Sequence, residues 1–114
     1  MMTVNIATLS VSQHVREHRW TRITECVKAV GGIGEVVYTC PSIKAKYPGQ
    51  VVVNCVTSTG LVFVVNVTKN SLITGYLGTV RGIQGLYQAK LPDDLFITVR
   101  RNERRYSYLY SIME

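Results

Sequence analysis

No aspartate or glutamate occurs between Val36 and Pro92 of this 114-residue chain. The same stretch carries Lys44, Lys46, Lys69, Arg81 and Lys90, so five of the six units of net positive charge arise there, and the arginine-bearing ends are close to neutral. A segment without carboxylates cannot supply paired carboxylates for acid–base hydrolysis or a hard-cation cage. It suits polyanions, because Lys and Arg that meet phosphates release counterions from them.

Other shortages narrow the class further. Three cysteines, Cys26, Cys40 and Cys55, are an odd number at no metal-ligand spacing; they fit a reduced compartment better than a disulfide framework and read as small buried hydrophobes. No apolar run approaches the ~18–20 residues of a membrane span, and Met1 to Ala7 lack the basic and apolar regions of a secretory signal, so a cytoplasmic location and no membrane partner are expected. The sequon Asn66-Val67-Thr68 is then incidental. Internal repeats, low-complexity segments, a phosphate-binding glycine loop and a Ser-His-Asp order are all missing, and no cofactor is implied. What remains is a chain 46% hydrophobic and 18% charged, enough to build one core in a single domain spanning residues 1–114.

Periodicity divides that domain into an α part and a β part. Thr8 to Trp20 contains neither Gly nor Pro, and Ser10 or Ser12 can cap a short helix with Val11, Val15 and His18 on one face. Thr21 can cap a second, in which Ile23, Cys26, Val27 and Val30 fall at amphipathic spacing before Gly31-Gly32 end it. Strand patterns follow over Glu35 to Cys40, Gln50 to Thr57, Leu61 to Thr68 and Leu72 to Leu77. Pro41 to Gly49 reads as a loop, with tight turns at Ser58-Thr59-Gly60 and Lys69-Asn70. Val51-Val52-Val53 and Leu61 to Val65 are apolar on both faces, so the sheet needs a second cover, from another layer or from a partner chain.

Past Leu77, Gly78, Gly82 and Gly85 suggest a long flexible loop over Gly78 to Lys90, and Asp93-Asp94 a turn. The alternation of Tyr106, Tyr108, Tyr110 and Ile112 suggests the second strand of a hairpin, paired with Leu95 to Arg100 around Arg101 to Arg104. The expected fold is therefore α+β: two N-terminal helices packed on an antiparallel sheet made of a meander plus a C-terminal hairpin.

His14 and His18, four apart, share a helix face but have neither the Glu nor the third ligand a metal site needs, and no metal is expected. Around them Arg16, Arg19, Trp20 and Arg22 form a cationic surface suited to phosphates, with Trp20 either stacking on a base or anchoring the helices in the core. The order HVREHRWTRI, a second helix, and VVVNCVTSTGLVFVVNVTKNSLITGYL, whose last strand contains Ile73-Thr74-Gly75-Tyr76, resembles the small ribonuclease toxins of the RelE and colicin-nuclease-like fold over residues 10–77. That resemblance implies metal-independent RNA cleavage by 2′-hydroxyl attack, with His14, His18, Arg19 (or Arg22), Thr74 and Tyr76 as candidate acid, base and phosphorane-stabilising groups. The Gly-rich and Tyr-rich segments after Leu77 lie beyond it.

Arg100, Arg101, Arg104 and Arg105 flank the tyrosine row, which reads either as a single-strand RNA platform or as packing against core or partner. The expected function is nucleic-acid binding, RNA favoured, through Arg16, Arg22, Lys44, Lys46, Lys69, Arg81 and Lys90, with ribonuclease activity as its sharper form. An acidic protein is the other partner consistent with the charge. The alternative class is a non-enzymatic interaction module that homodimerises through the Val-rich sheet or the Tyr-rich strand.

Overall fold

The computed structural model describes residues 4–42 and 48–112. Its elements are β1 (Ser10–Val11), α1 (Gln13–His18), α2 (Trp20–Ala29), β2 (Val36–Pro41), β3 (Val52–Thr57), β4 (Leu61–Asn66), β5 (Ser71–Leu77), α3 (Val80–Tyr87), α4 (Asp93–Arg105) and α5 (Ser107–Ile112). The fold is α+β, with a five-stranded mixed sheet ordered β1-β5-β4-β3-β2. β2 to β5 form the antiparallel meander, and the two-residue β1 adds in parallel to β5.

The N-terminal helices arise where their capping chemistry allows. Ser12 accepts the Val15 N–H at 3.2 Å and starts α1, shorter than the stretch Thr8 to Trp20 because Ser10 and Val11 are drawn into the sheet. α2 begins at Trp20 rather than after Thr21, with Arg19 at the junction of the two helices. It closes in a Schellman turn, Gly31 N–H reaching Lys28 O and Gly32 N–H reaching Val27 O. Val15, Ile23 and Cys26 face the first side of the sheet, where they meet Val53, Cys55, Leu61, Phe63, Val65, Leu72 and Leu77, with Trp20 packed half-buried at the margin.

After Leu77 the chain departs from the sequence expectation. The glycine-bearing stretch is not a loop: Thr79 accepts the Gly82 N–H at 3.0 Å and starts α3, whose Val80 and Ile83 are buried. Nor is there a C-terminal hairpin. Leu95, Val99 and Asn102 recur at helical spacing as the buried stripe of α4, Asp93 and Asp94 occupy its first turn, and Arg104 and Arg105 its last. That distribution of charge complements the helix dipole. Tyr106 ends α4 and Tyr108 and Tyr110 belong to α5, in which Leu109 is buried on the first side of the sheet; Tyr106 and Tyr110 pack beside it, and Tyr108 is 59% exposed.

α3 and α4 supply the second cover that the two-sided apolar strands require. Val80, Ile83, Leu91, Leu95 and Val99 pack on Val56 and Val62. The second layer comes from the same chain. Asn66, first residue of the sequon, is 2% exposed, accepts the Lys69 N–H at 3.1 Å and donates to Gln50 Oε1 at 2.6 Å, so it closes the β4–β5 turn.

Candidate functional site

Strand pairing arranges the second face of the sheet in rows. One row runs Tyr38, Val56, Val62, Tyr76 across β2 to β5, and the next runs Cys40, Asn54, Val64, Thr74. α3 and α4 cover the apolar middle of the first row and leave its tyrosines at the margins. The second row forms the floor of an open groove of about 820 Å³, walled by Gly85, Leu86, Tyr87 and Gln88 at the end of α3. The volume lies within the range of pockets that enclose small ligands, roughly 300–1,000 Å³.

At the β5 side of the groove stand Arg19 and Arg22. The meander contains a bulge there: Val64 pairs with Thr74 and Val65 with Leu72, so Ile73 is left without a partner on β4. Its carbonyl accepts from Arg19 Nη1 at 2.8 Å, which fixes a guanidinium at the groove's edge. Thr74 and Tyr76, two residues apart on β5, face the groove beside it. Burial, and secondarily the nearby Cys40 thiol, raises the Tyr76 phenol above its ordinary pKa, so the group stays protonated at neutral pH.

At the β2 side the Tyr38 hydroxyl donates to Leu86 O at 3.3 Å, and its ring stacks on Tyr87 with centroids 3.9 Å apart and planes inclined by 17°. Burial also raises the Tyr87 phenol, with Tyr38 adding to it. Between the two sides, Asn54 presents an amide whose nitrogen lies 3.9 Å from the Cys40 sulfur. Gln88, in the left-handed conformation at the end of α3, and Ser42 complete the polar lining. Among the described residues no Asp, Glu or His lines this groove.

The structure therefore brings together Arg19, Arg22, Thr74 and Tyr76, and leaves the other expected site residues elsewhere. His14 and His18 lie side by side on the exposed face of α1, centroids 4.7 Å apart and planes inclined by 45°, and do not line the groove. Arg16 lies over the Trp20 ring at 5.8 Å from its centroid. Lys69 is exposed on the β4–β5 turn, Arg81 on the outer side of α3, and Lys90 between α3 and α4. Lys44 and Lys46 fall outside the described residues. The tyrosines form no strand face, because Tyr106 sits at the α4–α5 junction and Tyr108 and Tyr110 lie on α5; of the two readings of that row, Tyr106 and Tyr110 follow the one that packs them against the core.

Tyr38, Asn54 and Tyr87 were not singled out by the sequence. Asn54 carried a signal nonetheless, being the one polar residue in Val51 to Val56 and of the same parity as Val52 and Val56.

No family model, curated protein or solved structure matches the chain. Among the described residues no group of three or more His, Cys, Asp or Glu could hold a metal ion, and no helix is long and apolar enough to cross a membrane.

Proposed function

We propose that the groove on the second face of the sheet binds a short single-stranded segment of nucleic acid, with RNA preferred. The observation that carries this reading is the composition of the groove: two arginines at one side, a tyrosine pair at the other, hydrogen-bonding side chains between, and no described carboxylate to repel an anion. Phosphates would meet Arg19 and Arg22, an unstacked base would lie against the exposed edge of the Tyr38–Tyr87 pair, and Asn54 can both donate to and accept from a base edge. Thr74 and Tyr76 offer hydroxyls to a ribose 2′-OH, the group that distinguishes RNA from DNA. Lys69, Arg81 and Lys90 would contribute long-range attraction rather than contacts.

The reading is tested by titrating labelled single-stranded RNA and DNA oligonucleotides across a salt series. Affinity should fall steeply with salt, and Arg22→Ala and Asn54→Ala should each weaken RNA about tenfold, the arginine variant also flattening the salt slope. Retention of full affinity in both variants would place any binding outside the groove.

A ribonuclease form draws support from the meeting of Arg19, Thr74 and Tyr76 in one groove, three of the groups implied by the resemblance to the RelE and colicin-nuclease-like toxins. Tyr76, protonated at neutral pH, is fitted to donate a proton to a departing 5′-oxygen and not to remove one from a 2′-hydroxyl. The histidines lie outside the groove, so binding is better supported than cleavage. Incubation of RNA in chelator distinguishes them: turnover that is lost in Tyr76→Phe and unchanged in His14→Ala and His18→Ala would establish the catalytic form.

A further inference from the structure

α4 buries Leu95, Val99 and Asn102 and turns a second, unlike surface outward. Phe96 is 38% and Ile97 61% exposed, and around them stand the exposed side chains of Arg100, Arg101, Arg104 and Arg105. These six residues line a shallow concavity of about 460 Å³. Arg100 lies over the Phe96 ring, 5.5 Å from its centroid, and pairs with Glu103 at 3.1 Å. Arg101, Arg104 and Arg105 make no ion pair among the described residues. None of the six lines the sheet groove, so this surface is separate from the nucleic-acid reading above.

We propose that this face of α4 docks an acidic protein segment that carries large apolar side chains. Phe96 and Ile97 give the concavity apolar surface and the four arginines give it positive charge, an arrangement matched by an apolar anchor flanked by carboxylates. An arginine fork donates two parallel N–H bonds to one carboxylate, and an apolar anchor seated among such pairs excludes water from them. A nucleic-acid backbone would use the cations but leave Ile97, an aliphatic side chain with no face for stacking, in water. A bilayer surface takes up a helix with a broad apolar face, whereas this face carries two apolar side chains among four arginines. A second copy of the chain would set four arginines against four.

The test uses a labelled amphipathic helical peptide with leucines along one face and glutamates over the rest. Three comparison probes accompany it: the same peptide with serine for leucine, a single-stranded RNA oligonucleotide, and phosphatidylglycerol vesicles. The leucine peptide should bind, and Ile97→Ser and Arg101→Glu should each weaken it about tenfold while thermal unfolding and RNA affinity stay unchanged. Both positions are on the surface, so the variants fold. The proposal is overturned if the leucine peptide does not bind, if both variants bind it normally, or if the serine peptide binds equally well. It is also overturned if the substitutions reduce binding to RNA or vesicles instead. None of these outcomes depends on Arg22 or Asn54, so the groove and the α4 face stand or fall separately.

Discussion

Cysteine reactivity separates three side chains that look alike in the sequence. Cys26 and Cys55 are buried under the helices on the first face of the sheet. Burial raises both thiols, Cys55 to about 11. A thiol kept protonated and shielded reacts slowly with alkylating and disulfide reagents. Cys40, half-buried on the other face beside Asn54, opens into the groove. Ellman's reagent at pH 8 should therefore modify one thiol in the native protein and all three after denaturation. Single-stranded RNA should slow the native reaction several-fold, and mass mapping should locate it at Cys40. Rapid native labelling of Cys55 would contradict the packing described for the sheet.

At the scale of elements, the β3–β4 turn is where the C-terminal helices are tied to the meander. Thr59 Oγ1 approaches the carbonyls of Gly32 and Ile33, both at 3.1 Å, and Asn102 Nδ2 donates to Thr59 O at 2.9 Å. Gly60 has φ of +90°, and a Cβ there would lie 2.6 Å from Asn102 Nδ2. Gly60→Ala should cost about 2 kcal/mol or more, from the strained backbone and the displaced amide together. In contrast Gly85 of α3 has open space where a Cβ would stand, and Gly85→Ala should stabilise by roughly 0.5–1 kcal/mol. Denaturant titration reads both signs. The α3 segment was hard to read because three glycines masked Thr79, a cap, ahead of Val80 and Ile83. α4 and α5 were misread because Tyr106, Tyr108 and Tyr110 alternate with period two, while the stronger signal, Leu95, Val99 and Asn102 at i, i+4 and i+7 after Pro92-Asp93-Asp94, lay upstream. The meander and α2 were legible because turn residues and periodicity agree there. Of the groove, Arg19, Arg22, Thr74 and Tyr76 were legible by type. Their meeting with Asn54 and Tyr87 depends on strand register and on α3, which local patterns do not encode.

For the whole molecule, several buried acids share one direction of shift. Cys26, Cys55, Tyr76, Tyr87 and Tyr110 are all raised by burial. Below pH 8 these groups are protonated in both the folded and the unfolded chain and contribute no pH dependence. Above about pH 9 the unfolded chain releases protons that the folded chain retains, so stability falls, for Cys55 through the window from 9 to about 11. Melting temperature should be level from pH 7 to 8 and decline steadily from pH 9, and replacing Cys55 by Ala should shallow the alkaline decline while lowering stability at neutral pH. The strand order carries a different consequence. At one margin of the sheet β1 pairs with only the first two residues of β5, and among the described residues β2 forms the opposite edge. Ser42 N–H points inward to Val52 O, so the nitrogen of the neighbouring Pro41 points outward, where it has no hydrogen to give. At the other end of β2 the register breaks between Val36 and Tyr38. A strand arriving at β2 would find its ladder interrupted at both ends, which is how natural sheets resist polymerising through their backbones, and stacks of this protein should not grow through that edge.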